Sequence, residues 1–193
     1  MIIHPIKDKY PQYYPVADNN SKILILGSFP SKDWTTGGFY YGSPQNRFWH
    51  LIVSLLDEKY SITDFDYSQI AKDSDIDLYV RKMNADEKAT LLLNNNIALW
   101  DIVDECAPSD DWPSEDYKII EPKLNYSGIN SLLETHRKIS KVLFTGKSDI
   151  KKQFAEELRK MQSVEIDFLP SPTCRVISQS GQSDKWLSLL TTA

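Results

Sequence analysis

The chain has 193 residues, of which 41% are hydrophobic and 25% are charged. This balance fits one domain of average size with a single buried core, so we interpret residues 1–193 as one domain. No stretch approaches the roughly 20 apolar residues that a membrane span needs, and the amino terminus lacks the pattern of a signal peptide. These features predict a cytoplasmic monomer with no membrane partner.

Neither a metal site nor a strongly basic surface is indicated by the composition. Cys106 and Cys174 lie far apart without a C-x-x-C pair, and the three histidines are scattered, so we expect no metal and no other cofactor. The net charge of −5 argues against tight non-specific DNA binding, because proteins that bind phosphate in bulk are usually basic. Basic residues do cluster in the last third, where a solvated helix face is the simpler interpretation and a basic rim the alternative.

Four short apolar runs predict buried strands, at residues 22–26, 97–100, 141–144 and 164–169. Each run is rich in β-branched or aromatic residues, and turn residues follow it. Helical patterns lie between and after these runs, at residues 46–56, 85–94, 129–138, 149–161 and 184–190. Residues 60–84 are polar, acidic and poorly periodic, which predicts an irregular or short-helical insertion.

Strands that alternate with helices predict an α/β fold with a mainly parallel sheet covered on both faces. In such folds ligands bind outside the carboxyl ends of the strands. Those ends fall at residues 27–31, 101–105, 146–148 and 170–173. All four are rich in Gly, Pro, Ser, Thr or acidic residues, so we expect a binding site at this edge of the sheet.

The most informative stretch is residues 27–49, GSFPSKDWTTGGFYYGSPQNRFW. Glycines bracket three consecutive aromatic residues, 39–41, which cannot all face one core because neighbouring side chains diverge. At least one of them is therefore predicted to face a cleft. Asn46 lies near the start of a predicted helix, where capping and catalysis are equally consistent with the local pattern. Phe48 and Trp49 are more simply core anchors.

The same stretch resembles the first motif of the uracil-DNA glycosylase superfamily. GSFPS is followed by FYYGSPQNRFW at the family's spacing, and the most similar branches are the mismatch-specific uracil-DNA glycosylases and, above all, the hypoxanthine (deoxyinosine) DNA glycosylases. The resemblance implies a three-layer αβα sandwich around a four-stranded parallel sheet. Later family segments match, in order, residues 98–101, Ser114 with Asp116, Asn125, residues 144–146 and residues 169–175.

The resemblance also implies roles for individual positions. Tyr41 matches the aromatic residue that stacks on the flipped base, and Asn46 matches the asparagine taken as essential in the hypoxanthine branch. Phe29 stands where mismatch-specific members carry a water-activating asparagine, which shifts the expected base from uracil toward hypoxanthine. Asn125 matches a second asparagine that contacts the base, and Ser28 offers a further hydroxyl to it.

Residues 169–175, LPSPTCR, match the second motif, a loop inserted into the duplex in place of the extruded nucleotide. A proline-rich strand exit is the alternative interpretation. The expected DNA contacts, which include a lysine after the third predicted strand, are Ser171, Pro172, Thr173, Arg175 and Lys147.

Excision of a deaminated base in base-excision repair is the function that these matches imply, with DNA as the partner. An enzyme of this kind must take the base out of the stack, and an amide side chain can both donate to and accept from a lactam edge. No lysine lies in the first motif to form a Schiff base, so we expect a monofunctional enzyme that uses water.

Two positions depart from the family pattern. Ser43 stands where histidine is usual, and Leu169 stands where the second motif commonly has histidine or asparagine. These departures leave open a slow enzyme or a catalytically weak or inactive protein that binds nucleic acid or a nucleotide on the same fold. A metal-free small-molecule hydrolase is disfavoured, because no serine has a paired base in the sequence.

Overall fold

A computed structural model describes residues 1–30, 38–60, 67–107, 116–179 and 181–191. In chain order its strands are β1 (Ile2–Ile3), β2 (Ile23–Gly27), β3 (Ile97–Asp101), β4 (Val103–Cys106), β5 (Lys123–Leu124), β6 (Lys141–Thr145) and β7 (Glu165–Leu169). Its α-helices are α1 (Pro5–Lys9), α2 (Phe48–Leu56), α3 (Asp75–Lys82), α4 (Ala85–Asn94), α5 (Tyr126–Thr135), α6 (Asp149–Met161), α7 (Cys174–Ile177) and α8 (Gln182–Thr191). None of these helices has the length and apolar character needed to span a membrane.

Four parallel strands form the central sheet, in the order β3-β2-β6-β7. Their registers align the strand starts, with Ile23 opposite both Ile97 and Lys141, and Lys141 opposite Glu165. Every residue of β2, β3 and β6 is buried, as expected of parallel strands covered by helices on both faces. The predicted α/β fold with a four-stranded parallel sheet is confirmed.

Alternate side chains of the sheet belong to two separate cores, which makes the molecule three-layered. Ile23 and Ile25 of β2 pack in the core that includes residues of α2, α3, α4 and α8. Leu24 and Leu26 pack in the opposite core with residues of α5 and α6. The three-layer αβα arrangement implied by the family resemblance is thus confirmed.

The sequence patterns missed several short elements. β1, β4 and β5 form a small antiparallel sheet beside the carboxyl end of β3, and two of these strands have only two residues, too few to show an alternating pattern. The helix expected at 129–138 spans Tyr126–Thr135 instead. It begins earlier than expected because its first turn, directly after Asn125, is polar and shows no apolar periodicity. The helix expected from residue 46 begins at Phe48.

The described part of residues 60–84 is short-helical, as expected. A 3-10 helix at Tyr67–Ile70 precedes α3, whose start is capped by the Ser74 side chain accepting from the Asp77 backbone N–H. Ile76 and Val80 of α3 are buried against the rest of the core. This segment is therefore part of the helical layer that contains α2 and α4.

Candidate active site at the strand ends

A cleft of about 940 Å³ opens at the carboxyl ends of the parallel strands. Residues 28–30 after β2, Asp101 of β3, residues 145–149 at the end of β6 and residues 171–173 after β7 all line it. The long loop between β2 and α2 supplies another wall through Tyr41 and its neighbours. The cleft thus opens at the edge of the sheet where the sequence predicts a binding site.

The two family motifs are joined directly by main-chain hydrogen bonds. The backbone N–H of Arg47 donates to the carbonyl of Pro172 at 2.6 Å, and that of Cys174 donates to the carbonyl of Gln45 at 2.9 Å. Asn46 lies between these two bonds. The loop after β7 and the start of α2 therefore form one continuous wall of the cleft.

Asn46 both caps the helix and faces the cleft. Its Oδ1 accepts the backbone N–H of Phe48, the first residue of α2, at 2.8 Å. With Oδ1 occupied in this way, the amide nitrogen is the free end of the side chain, and no residue of the described ranges accepts from it. Asn46 can therefore donate to a ligand in the cleft.

Tyr41 forms a rigid aromatic platform in the cleft wall. Its backbone is left-handed, with φ 55°, and its ring stacks on Phe48 with a centroid distance of 4.1 Å and an interplanar angle of 13°. Its hydroxyl shares a hydrogen bond of 2.9 Å with Thr145 Oγ1. Burial, with the charge of Asp101, raises the pKa of this phenol well above its usual value, so it stays neutral. The ring is held on one face and lines the cleft.

The glycine of the GSFPS motif is required by close packing. A Cβ added at Gly27 would collide with a carboxylate oxygen of Asp101 and would lie 2.6 Å from the Tyr41 hydroxyl. Asp101 and Tyr41 are themselves held by other partners, so neither can move away freely. Gly27 thus brings the stacking platform and a carboxylate together at the floor of the cleft.

Asp101 is paired with a histidine from the amino terminus. His4 Nε2 lies 2.8 Å from Asp101 Oδ2, and both residues are buried. His4 Nδ1 accepts the backbone N–H of Ile6 at 3.3 Å, which places the proton on Nε2. The His4 ring packs against Tyr14 and Phe29, at centroid distances of 4.6 and 5.3 Å. His4 therefore donates its Nε2 proton to the Asp101 carboxylate.

A second polar cluster lies on another wall of the cleft. Lys151 Nζ lies 3.1 Å from Asp116 Oδ2 and donates to the carbonyl of Thr145 at 2.5 Å. Burial favours a raised pKa for the Asp116 carboxyl, but the charge of Lys151 and the nearby hydroxyls of Ser148 and Ser28 outweigh it and lower the pKa. Both hydroxyls are buried close to the Asp116 carboxyl, and neither makes a well-formed hydrogen bond to another described residue.

The expected DNA contacts lie at the rim. Lys147, Ser171, Pro172 and Thr173 line the cleft, and the Lys147 ammonium lies over the Phe168 ring at 5.5 Å. Lys147 and Thr173 are exposed. Arg175 is exposed on α7 outside the lining. Most of the basic residues of α6 lie on its solvated face, whereas Lys151 is buried in the cleft wall.

Other predicted positions are less central to the cleft. Phe29 and Ser43 line it. Asn125 is buried before α5, with Oδ1 beside Gly128, and is not among the described residues that line the cleft. Leu169 is 1% exposed and packs in the core.

Ser31 and Ser114, which belong to segments that resemble the family, lie outside the described residues. No sequence pattern singled out His4, and Lys151 was only one of the basic residues that cluster in the last third of the chain. Asp101 was noted only at a strand end, and a strand-terminal aspartate is the one signal that could have singled it out.

The fold and the cleft place the chain among the α/β proteins with a uracil-DNA glycosylase-like architecture. A candidate uracil DNA glycosylase of Methanosarcina acetivorans, solved by NMR, superposes with a TM-score of 0.65 at 26% identity. The match covers 91% of this chain and 92% of that one.

Curated relatives define the family more closely. The hypoxanthine DNA glycosylase of Methanosarcina barkeri (strain Fusaro) is 30% identical over 133 residues, covering 69% of this chain and 68% of the relative. The hypoxanthine DNA glycosylase of Methanosarcina acetivorans is 29% identical over 157 residues, 81% of each protein. A scan against family models gives no match. The chain belongs to the hypoxanthine DNA glycosylase family of the uracil-DNA glycosylase superfamily, as its first motif predicted.

Proposed function

We propose that the chain is a monofunctional DNA glycosylase that extrudes a deaminated base and hydrolyses its N-glycosidic bond, with hypoxanthine preferred over uracil. The observation that carries the proposal is the pairing of a rigid stacking ring, Tyr41, with a free amide donor, Asn46, in one cleft of a chain related to hypoxanthine DNA glycosylases. Base excision repair is the process that such an activity serves.

Tyr41 offers a surface for the extruded base. Unstacking a base from DNA costs a few kcal/mol, and stacking on an aromatic side chain returns about 1–3 kcal/mol. Because Phe48 and Thr145 already fix the ring, little side-chain entropy is lost when a base stacks on it. Phe29 and Ser28 complete this base-binding part of the cleft.

Asn46 supplies the catalytic interaction in this proposal. Cleavage of the glycosidic bond places negative charge on the leaving base and positive charge on the sugar. A donor fixed by its neighbours stabilises the leaving base without reorganising, and Asn46 is fixed by its bond to Phe48 N–H. Water is the nucleophile, and the cleft lysine Lys151 is engaged with Asp116 and Thr145 rather than free to form a Schiff base.

The rim would hold the DNA strand on either side of the flipped nucleotide. Ser171, Pro172 and Thr173 lie on a loop that main-chain bonds tie to the start of α2, so an inserted loop would keep its shape. Lys147 and Arg175 are exposed cations beside it. A local basic rim of this kind is compatible with a net charge of −5, because it needs only a few phosphate contacts.

The proposal is tested by measuring the release of a modified base from oligonucleotides. Oligonucleotides with hypoxanthine, uracil, xanthine or a thymine mismatch are incubated with the protein, and abasic sites are revealed by alkali. We expect the fastest release from deoxyinosine, and no covalent adduct after borohydride treatment. Asn46→Ala should slow release by about 100-fold, whereas Gln45→Ala, an exposed neighbour whose main-chain bond survives substitution, should not. No release of any base at enzyme excess would contradict the proposal.

A catalytically weak DNA-binding protein is the second candidate, and Ser43 and Leu169 favour it. Ser43 lines the cleft where the family usually presents an imidazole, and Leu169 is turned into the core. That alternative predicts binding of deoxyinosine-containing DNA without release of base.

A further inference from the structure

We propose that Asp101, positioned by His4, selects deaminated bases by accepting a hydrogen bond from the ring N–H that deamination creates. The inference rests on the proposed glycosylase function and names the group that distinguishes a damaged base from its parent. Neither residue was given a role by the sequence patterns.

The Asp101 carboxylate is held in one orientation. Oδ2 receives the His4 Nε2 proton at 2.8 Å, and the other oxygen, Oδ1, packs against Gly27. No described residue donates a hydrogen bond to Oδ1. The Tyr41 hydroxyl packs against the same glycine, so the carboxylate lies at the phenolic end of the stacking ring. A base stacked on Tyr41 would meet it edge-on.

Burial and two further hydrogen bonds hold His4 in place. It is fully buried, and its Nδ1 is occupied by the Ile6 N–H at the start of α1. Its own backbone N–H donates to the carbonyl of Asp104, the second residue of β4, at 2.9 Å. The amino-terminal segment thereby holds the His4 Nε2–H against Asp101 Oδ2. Because Oδ2 is occupied, Oδ1 is the carboxylate oxygen left to accept from a ligand in the cleft.

A carboxylate at this place distinguishes deaminated bases by elementary chemistry. Deamination converts N1 of adenine, or N3 of cytosine, from a hydrogen-bond acceptor into an N–H donor. An ionised carboxylate only accepts, so it pairs with hypoxanthine or uracil and faces the lone pair of adenine or cytosine. A buried acceptor left unpaired against a parent base is penalised strongly. Guanine shares the N1–H, so Asp101 does not separate it from hypoxanthine.

The effect should appear in binding rather than in the chemical step. The ring N–H lies on the edge of the base remote from the glycosidic bond, and its hydrogen bond is present before and during cleavage. An interaction made equally in the ground and transition states lowers KM without changing kcat. Loss of Asp101 should therefore raise KM for deoxyinosine and leave kcat nearly unchanged.

Binding of uncleavable probes tests the inference directly. Two single-stranded oligonucleotides differ only in carrying 2′-fluoro-2′-deoxyinosine or 2′-fluoro-2′-deoxyadenosine, and affinities are measured by fluorescence anisotropy. We expect the wild type to prefer the inosine probe by at least about tenfold. Asp101→Asn, whose amide can donate to adenine N1, should lose most of that preference. A guanosine probe should follow the inosine probe in its response to the substitution.

Two substitutions at His4 distinguish a role in orienting the Asp101 carboxylate from a purely structural role. His4→Gln retains an N–H near the place of Nε2 and should keep most of the preference, whereas His4→Phe removes the donor and should lose it. His50→Gln is the matched control, because His50 is also buried and bonded to an aspartate, but away from the cleft. Thermal unfolding confirms that each variant is folded before its affinity is compared.

The outcomes separate the two proposals. A wild type that binds both probes equally overturns the role of Asp101, as does an Asp101→Asn variant that keeps the full preference. A fall in kcat at unchanged KM for every base would place Asp101 at the sugar or the water, and would also overturn it. If the preference is present and depends on Asp101 but no base is ever released, the glycosylase proposal fails while the selection by Asp101 stands.

Discussion

Two buried histidine–aspartate pairs lie in different regions of the molecule and have different surroundings. His4 Nε2 to Asp101 Oδ2 and His50 Nε2 to Asp77 Oδ1 both measure 2.8 Å. Asp77 also accepts at Oδ2 from the Arg81 guanidinium at 2.6 Å and from a backbone N–H at 2.8 Å. Asp101 keeps one oxygen beside the cleft instead. The same pair of residue types thus leaves a carboxylate oxygen at the cleft in one region and none free in the other, according to how many partners the fold supplies to the carboxylate.

The surroundings of the two pairs account for this difference. The His50 pair joins α2 to α3 within the helical layer, and Arg81 and Asp73 extend it to the surface. The Asp101 pair joins the amino terminus to the carboxyl end of β3, where the cleft begins. We therefore expect substitutions near Asp101 to affect activity and those near Asp77 to affect stability.

Gly27→Ala should have the largest effect, because the added Cβ lies against the Asp101 carboxylate that His4 holds. The new Cβ would press on the Asp101 carboxylate and the Tyr41 hydroxyl together. We expect a loss of stability of about 3 kcal/mol and a fall in base release of about 100-fold. Denaturant unfolding and single-turnover base release measure the two effects. An active and fully stable variant would show that the floor of the cleft is less tightly packed than described.

The pH dependence of stability should identify the framework pair. Burial lowers the pKa of His50 to about 4 from 6.5. Between these pH values the unfolded chain binds a proton at His50 that the folded chain does not. The neutral, buried His50 therefore contributes its full stability above pH 6.5, and this stability is lost as the pH falls toward 4. The loss should reach about 3 kcal/mol.

Chemical denaturation of the wild type and His50→Gln across this range measures that contribution as a difference. The difference isolates His50 from the carboxylates, which titrate in both proteins. Parallel curves for the two proteins would exclude His50 as the source.

Asp77→Asn should cost about 2 kcal/mol of stability, because a charged acceptor for His50 and Arg81 is replaced by a neutral amide. The free energy of unfolding in urea measures this loss. Base release per folded molecule should be unchanged, since no described residue of this pair lines the cleft. A selective loss of activity would show that the two regions are coupled.

Lys88→Met should give the smallest effect, and in the opposite direction. Lys88 is 4% exposed beside the Trp49 ring, and burial lowers its pKa to about 8 from 10.5. Replacing a desolvated ammonium with an apolar chain should stabilise the protein by about 1 kcal/mol at pH 7. Because the folded wild type releases its proton first, that gain should shrink as the pH rises from 8 to 10.5.

Urea unfolding at several pH values measures the gain. Lys82→Met, at an exposed position of α3, is the control and should change stability little. A destabilised Lys88→Met variant would show that the cation contributes more to packing on Trp49 than its desolvation costs.

Periodicity in the sequence was enough to predict the sheet and the longer helices. The three inner parallel strands, β2, β3 and β6, are fully buried apolar runs, whereas the edge strand β7 alternates apolar and acidic residues. The helices α4 and α6 begin and end where their patterns do. The small antiparallel sheet was missed because two-residue strands carry no pattern. Local rules thus predict elements that are long enough to show a regular apolar pattern.

The site was predictable only in the part that one contiguous motif encodes. Tyr41 and Asn46 share a single stretch of chain, and both line the cleft; their roles there stay predictions. The His4–Asp101 pair was not predicted because its members lie 97 positions apart and meet only through the amino-terminal segment. Asn125, assigned from family resemblance alone, is buried beside Gly128 instead of lining the cleft, so its contact with the base stays a prediction.

The most direct test compares the two aspartates in one assay. The kcat/KM for hypoxanthine release from a deoxyinosine duplex is measured for the wild type, Asp101→Asn and Asp77→Asn at equal concentrations of folded protein. We predict release by the wild type, a loss of at least about tenfold for Asp101→Asn, and no loss for Asp77→Asn. Equal losses in both variants, or none in either, would contradict the distinction between the two pairs.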